Sequence, residues 1–382
     1  MSKSLDTENA VASRYSAAAQ AVEPALCCPV DYDASFLKVI PSEVIERDYG
    51  CGDPSKYVRK GETVLDLGSG GGKICFIASQ VVGESGRVIG VDMNDEMLTL
   101  ARKSQPVVAD AIGYDNITFC KGRIQDMAVD RDAVDRFLQS NPVTDEATLR
   151  HLESFVAAQR REQPMIADKS VDVVVSNCVL NLVDSAEKQA LFAEIFRVLK
   201  NGGRAVISDI VADRVVPTHL QQDATLWSGC ISGALRDEDF VRAFETAGFH
   251  GVEVVVMQPE PWQVVEGIEF RSATVIAYKG NARSEPDATC EDQVMYRGPF
   301  ASIRDDEGNE YRRGEMVAVY PGTFAMLSRE PYASHFIRVP AKPKSQATGL
   351  PVASQAQTYQ LQVASNSSPR GSEGCCDSGG CC

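Results

Sequence analysis

Basic residues are scarce in this 382-residue chain, which carries 38 Lys and Arg against 53 Asp and Glu for a net charge of −15. Gripping a phosphate backbone requires a basic track, so the balance argues against a nucleic-acid-modifying enzyme. Long apolar runs are also missing. None approaches the roughly 18–20 residues that cross a bilayer, and no membrane segment is expected. The opening MSKSLDTENAVASRYSAAAQ has no apolar core and includes Asp6 and Glu8, unlike a secretory signal or an acid-poor transit peptide. The expected location is the cytoplasm. Histidine is rare too, with four in all, and none lies at the end of a predicted strand.

Apolar residues make up 44% of the sequence, and that length and content support a full α/β domain plus something smaller. Cysteine is abundant, at twelve. The cysteines are scattered through predicted strands, helices and tail, which does not resemble a compact secreted disulfide scaffold. In a reducing compartment they are ligands, redox-active thiols or buried fillers.

Residues 7–26 read as a polar, alanine-rich helix, followed by Cys27 and Cys28, and 41–49 as a second short helix leading into YGCGDP. From Thr63 strand and helix patterns alternate, which implies a parallel sheet with helices on its faces. The strands are TVLDLG, RVIGVD, ITFC, VDVVVSN and RAVISDI, with a last one at 274–278. Helices are expected at 73–82, 95–104, 186–200 and 237–247. These patterns divide the chain into an N-terminal helical segment and active-site loop (1–62), a main domain (63–280) with a helical insertion (128–167), a small β-rich C-terminal domain (281–341) and a tail (342–382). The tail is rich in Ser, Gln, Pro and Gly, a composition that predicts disorder. It ends in CCDSGGCC.

Between the first predicted strand and helix lies DLGSGGG, from Asp66 to Gly72. Glycines at such a turn let the backbone approach a ligand near the helix N-terminus. Asp92 closes the next strand, where an acid can accept hydrogen bonds from ribose hydroxyls, and GRIQDM follows the third. A dinucleotide fold would share the glycine turn, but hydride transfer needs an acid or base that the histidines do not supply. The three elements in order resemble the class I S-adenosylmethionine (SAM) methyltransferases across 63–279. By that resemblance Gly68, Gly70 and Gly72 line the methionine and sugar, Asp92 and Met93 contact the ribose and adenine, and Ile124, Gln125 and Asp126 flank the adenine. Asp66 and Asn177 complete the expected cofactor site. The implied fold class is α/β: a class I SAM-methyltransferase (Rossmann-like) sheet with a small β-rich C-terminal domain and a disordered tail.

Open α/β sheets bind ligands beyond the carboxyl ends of their strands. Cys178 follows the fourth strand, Cys230 lies in LWSGCISGAL after the fifth, and Cys51 sits between glycines in a loop before the first. Three loops thus supply one thiol each to one mouth. Thiolates suit a soft, thiophilic substrate better than an alcohol or amine. Cys75, on a helix, and Cys120, in a strand, read instead as buried fillers.

YGCGDP, SNCVLNLV, SDIVADRVVP and LWSGCISGAL, in that order around a class I core, resemble the arsenite SAM methyltransferases. EGIEFRSATVIAYKG and VMYRGPF are similar to the C-terminal part of bacterial and algal members, so coverage runs over about 49–320; the 128–167 insertion exceeds the family's usual linker. The resemblance implies methyl transfer from SAM to trivalent arsenic, as arsenite or its thiol conjugate, in arsenic detoxification. Thiolates matching Cys51, Cys178 and Cys230 would hold the arsenic. An upstream cysteine, Cys28 or else Cys27, can pair with the one matching Cys51. A glutathione or thioredoxin system would then be required to reduce the disulfide formed in turnover. Two rivals remain at this point: methylation of a small organic acceptor, and a thiol-rich metalloid-binding protein with a degenerate cofactor site. The first wants an acid or histidine beside Cys178 and Cys230, where the local sequence has none, and the second wants a damaged glycine motif. Cys375, Cys376, Cys381 and Cys382 suit capture of a metalloid or metal, redox chemistry or lipidation.

Overall fold

A computed structural model describes residues 6–23, 26, 30–280 and 291–341, all within one compact unit. Cys27, Cys28, the polar stretch at 281–290 and the cysteines of the tail lie outside the described residues.

Runs of valine, isoleucine and leucine buried on both faces are the mark of a parallel sheet covered on two sides. Five strands pair in parallel, four of this kind and β3 at the sheet edge: β1 (Thr63–Leu67), β2 (Arg87–Asp92), β3 (Ile117–Lys121), β4 (Val171–Asn177) and β5 (Leu199–Ala212). Successive residues serve opposite faces. Leu65 and Leu67 pack with Phe192 and Ile195, whereas Val64 packs with Phe76 and Leu98. A two-residue β6 (Leu235–Arg236) extends the end of β5. β7 (Phe249–Met257), β8 (Gln263–Val265) and β9 (Ile268–Lys279) complete the sheet, whose main order is β3-β2-β1-β4-β5-β9-β7. β9 runs antiparallel between β5 and β7.

The first four parallel strands fall where the sequence predicts them and the helix Lys73–Val82 has the expected bounds, while β5 begins at Leu199, ahead of the predicted Arg204 and within the stretch expected to be helix. Other elements differ in length. The first helix is Thr7–Ala18, shorter than its alanine content suggests, and Asp95–Ile112 continues through Pro106 to Gly113, a left-handed stop at φ 86°. Buried Leu98, Ala101, Ser104 and Val108 form the stripe that carries this helix past its proline. β9 starts six residues before the predicted 274, because Ile268 and Phe270 pack against the cysteine cluster described below. β7 escapes a pattern reading because its Val254 and Val256 are exposed. The insertion forms two helices, Arg131–Ser140 and Glu146–Glu162, joined by stacking of Phe137 on Phe155 at 4.3 Å.

Beyond 291 lie β10 (Asp292–Tyr296), β11 (Ser302–Arg304), β12 (Glu310–Arg312), β13 (Met316–Val319) and β14 (Phe336–Val339). β10 is central between β13 and β14, and β11 and β12 make a hairpin. In its turn the Asp305 carboxylate accepts the Asn309 N–H at 2.8 Å. Val294, Tyr296, Tyr311, Val319, Leu327 and Phe336 form a small apolar core there.

One buried ion pair fastens the entry of β1 to β5. The Arg204 guanidinium donates to both Glu62 oxygens at 2.7 and 2.9 Å and to the Tyr57 carbonyl. Removing one partner of a buried pair strands the other charge, at a cost of about 3–5 kcal/mol. Glu62→Gln is therefore expected to lower unfolding stability in urea by about that amount. A loss below about 1 kcal/mol, the range of exposed pairs, would contradict this.

Candidate active site

At the carboxyl edge of the sheet, β1 runs into a turn of left-handed glycines, with φ 66° at Gly68 and 51° at Gly70. A Cβ on Gly68 would lie 2.4 Å from Val179, so only glycine lets the two segments meet. Gly70 faces open space: nothing lies within 4 Å of a Cβ placed there. Gly72 acts at the helix start instead, with φ 93° and a Cβ position 2.8 Å from the Phe119 ring. The Asp92 carboxylate accepts the N–H groups of Gly70 and Asn94, both at 2.8 Å, fixing the turn against the end of β2. Burial pushes its pKa up.

A cleft of about 700 Å³ opens between these elements, bounded by Asp66, Gly68, Gly70, Asp92, Met93 and Asn177, with Cys178 at one end. A second hollow of about 540 Å³ shares Gly68, Asp92 and Met93 and continues past Ile124 and Gln125. Two buried oxygens on these walls, Ser69 Oγ and Glu8 Oε1, have no hydrogen-bond partner among the described residues. An open glycine turn, a strand-end carboxylate with acceptor capacity to spare and orphaned polar atoms fit a polar cofactor with sugar hydroxyls, an amine and a carboxylate. The residues present therefore suit SAM.

The Thr7–Ala18 helix forms the cleft's remaining wall, through Val11, Ala12 and Tyr15. Arg14 donates to the Thr225 carbonyl at 2.8 Å and to Ser228 Oγ at 3.1 Å, and Asn94 Nδ2 donates to Ser16 Oγ at 2.9 Å. Sequence reading assigned this helix no role.

Beyond the cleft, Cys51, Cys178 and Cys230 share one buried cluster. Cys178 and Cys230 both hold positive φ, 64° and 62°. Such backbone costs about 1–3 kcal/mol per non-glycine residue and marks functional constraint. Cys178 N–H donates to the Ser208 carbonyl at 2.7 Å, and the Cys230 thiol donates to the Cys178 carbonyl at 2.9 Å. Asn181 braces the pair, its Nδ2 donating to the carbonyls of Ile210 at 2.6 Å and Cys230 at 3.3 Å.

Cys51 arrives from outside the sheet. Asn177 Oδ1 accepts the N–H groups of Cys51 and Gly52 at 2.8 and 3.0 Å, while its Nδ2 donates to the Gly52 carbonyl and Tyr32 oxygen. Asn177 thus lines the cofactor cleft while its amide holds the cysteine loop. The flanking glycines leave no room for a side chain: a Cβ on Gly50 would lie 2.0 Å from Asn177, and one on Gly52 2.6 Å from Ser208 Oγ. Ser272 Oγ donates to the Cys51 carbonyl at 2.6 Å, and buried Lys73 pairs with Asp48 beneath the loop.

The neighbouring thiols of Cys230 and Cys51, with burial, push the Cys178 pKa well up. Burial does the same for Cys51. Cys51 and Cys178 are therefore held protonated at rest. Tyr15 lines the cofactor cleft and is buried close enough to Cys230 and Cys178 for them to raise its pKa, so the covering helix faces both cofactor cleft and thiol cluster. Asp209 of β5 was also missed: a carboxylate oxygen lies within 4.8 Å of the sulfurs of Cys178 and Cys230. The acid that is absent from the local sequence around those cysteines comes from the adjoining strand. Burial pushes Asp209 up to about 6 and the neighbouring Lys188 down to about 8. Cys75 is fully buried and donates to Asp66 at 3.2 Å, and Cys120 packs at the core margin.

Fold and cleft together define a class I SAM-dependent methyltransferase. The family described as a methyltransferase domain matches residues 58–160 and 153–248, and a domain of unknown function, DUF8838, matches 284–374. An arsenite methyltransferase of Aquipseudomonas alcaligenes is 33% identical over 327 residues, covering 81% of this chain and 83% of that protein. The arsenite methyltransferase of Mus musculus is 30% identical, covering 81% and 75%. The crystal structure of an arsenic (III) S-adenosylmethionine methyltransferase from Chlamydomonas reinhardtii matches with a TM-score of 0.55 and 27% identity, covering 85% of this chain and 98% of that one. The chain belongs to the arsenite methyltransferase family.

Two predictions concern the cofactor side. Asp92→Ala is expected to weaken SAM binding at least tenfold in calorimetry while leaving arsenite affinity unchanged; unaltered SAM affinity would contradict the role of Asp92. Asp66 is buried, and desolvation pushes it up to about 8. The folded protein then keeps a proton that the unfolded chain loses near pH 4, so stability falls as pH rises from about 4 to about 8. Melting temperatures of the cofactor-free protein should show that fall, and Asp66→Asn should flatten it. Parallel pH curves for the two proteins would contradict the assignment.

Proposed function

We propose that Cys51, Cys178 and Cys230 hold trivalent arsenic while the cleft lined by Gly68, Gly70 and Asp92 presents SAM to it, so that the chain methylates arsenite. The observation that carries this reading is the meeting of three thiols, from three separate segments, in one buried cluster at the end of the cofactor cleft. Ile124, Gln125 and Met93 flank the adenine in this reading, and Asn177 positions the Cys51 loop.

Protonated thiols are the form that arsenite consumes. Each condensation of a thiol with an arsenic-bound hydroxyl forms one As–S bond and releases one water, which carries the thiol proton away. Three condensations leave neutral, pyramidal arsenic with its lone pair. Bound SAM supplies an electrophilic methyl group. Holding both reactants in place replaces a collision with an intramolecular step, worth ~7–11 kcal/mol of barrier. Closure by the Tyr15 helix keeps water from the methyl donor.

Methyl transfer leaves arsenic oxidised by two electrons. Attack of a further protein thiol on one arsenic-bound sulfur forms a disulfide and breaks that As–S bond, whose electron pair returns to arsenic; the attacking thiol's proton is released, and the methylated trivalent arsenic stays on the other two sulfurs. Cys28, outside the described residues, is the expected partner of Cys51 in that disulfide. An external thiol system, glutathione or thioredoxin, must then supply two electrons and two protons. Among the described residues no helix is long and apolar enough to cross a membrane, and action in the cytoplasm suits the need for a reductant.

The defining assay incubates purified protein with SAM, arsenite and a thiol reductant and separates the arsenic species by chromatography. Methylated arsenicals are expected; their absence with SAM bound would overturn the reading. Cys178→Ser and Cys230→Ser should abolish every methylation step, because a hydroxyl is a hard, weak ligand for a soft centre. Cys28→Ser should impair methylation of arsenite but spare an already monomethylated trivalent arsenical. Full activity in Cys178→Ser would refute the ligand assignment.

A further inference from the structure

We infer that Asp209 is an electrostatic catalytic residue, a buried anion placed to stabilise the positive charge that methyl transfer moves onto arsenic. The inference rests on the reading that Cys178 and Cys230 hold the arsenic. In the transfer the arsenic lone pair forms the As–C bond and the S–C bond of the sulfonium breaks, its electron pair staying on sulfur. The cofactor becomes neutral. The arsenic, neutral with three thiolates, becomes a four-coordinate cation. A fixed negative charge beside the arsenic therefore favours the transition state over the ground state, which is how preorganised groups in dry sites accelerate reactions.

Asp209 has that position. Its carboxylate lies within 4.8 Å of both sulfurs and has no solvent exposure. Its own contacts hold it rigid as an acceptor: Oδ1 takes the Ile210 N–H at 2.7 Å and Oδ2 the Asn181 N–H at 3.3 Å. Lys188, a cation that bears on it, is also buried, and its Nζ donates to the Leu180 carbonyl at 2.8 Å. A carboxylate taken out of water is costly unless its charge is used or paired. Asparagine would occupy the same space and still accept a backbone N–H. The excess over asparagine is the charge and a second acceptor for the long Asn181 N–H contact, and the charge lies beside the thiols.

The test compares wild type with Asp209→Asn and Asp209→Glu, the latter keeping the anion. In single turnovers with saturating SAM and arsenite, Asp209→Asn is expected to slow methyl transfer by about 10²–10³-fold, the loss seen when one preorganised electrostatic group is removed. Arsenite affinity should stay within about threefold, and Asp209→Glu should keep more of the rate. An activity-free readout uses two inert analogues: sinefungin, with an ammonium where SAM has its methyl sulfonium, and uncharged S-adenosylhomocysteine. Wild type should prefer the ammonium, and Asp209→Asn should lose that preference without changing affinity for the neutral analogue. Unchanged methyl transfer in Asp209→Asn overturns the inference, as does a wild type without preference for the cation, a result that stands even if the variants fail to fold. Parallel loss of arsenite affinity and rate would make Asp209 a brace of the cysteine loops and also overturn it. Failure of the underlying reading is distinct: it would show as undiminished arsenite binding in Cys178→Ser.

Discussion

Two cysteines in left-handed backbone conformation, each just past the end of a strand or short helix, set the geometry on which the site depends. With positive φ, Cys178 and Cys230 turn back toward one another instead of following the chain outward, and the Cys230 thiol reaches the Cys178 carbonyl. Neither conformation is cheap, and both persist because neighbours over-determine them. Ser208 takes the Cys178 N–H, Asn181 ties the Cys230 carbonyl to β5, and a Cβ on Gly233 would lie 2.0 Å from the Asn181 carbonyl. The third thiol depends on Asn177, one residue before Cys178, whose amide closes the Cys51 loop. Cofactor wall and arsenic site thus share a strand end, and distortion of β4 is felt in both.

Burial decides the chemistry that follows. Exposed thiols at neutral pH would react with any oxidant, whereas desolvation and close thiol neighbours keep Cys51 and Cys178 protonated until arsenite exchanges its hydroxyls for them. The protein is strongly acidic overall, and among the described residues one carboxylate, Asp209, lies within 4.8 Å of the sulfurs of Cys178 and Cys230. The Tyr15 helix spans the cleft and the cluster, so exclusion of water from the methyl donor and completion of the thiol pocket are one structural event.

Much of this was legible in the sequence because strong local signals encode it. Strands β1, β2, β4 and β5 announce themselves by their aliphatic runs, the DLGSGGG turn by its glycines, and Cys51 by the glycines on either side. β7 did not, since its Val254 and Val256 face outward on an irregular strand. The supporting polar residues were also invisible. Asn181, Ser272 and Asp209 act through partners distant in sequence, and nothing in their local context separates them from ordinary strand-end residues. Tyr15 lies in an alanine-rich helix with little amphipathic pattern, and its role comes from what that helix covers.

The claim under all of this is that one arsenic atom is bound by three protein sulfurs before any methyl transfer. X-ray absorption at the arsenic edge measures that directly, on reduced protein loaded with one equivalent of arsenite in the absence of SAM and added thiols. The account predicts a first shell of three sulfurs without oxygen in the wild type, becoming two sulfurs and one oxygen in Cys51→Ser. A shell dominated by oxygen in the wild type, with all thiols titrated as reduced, would contradict it.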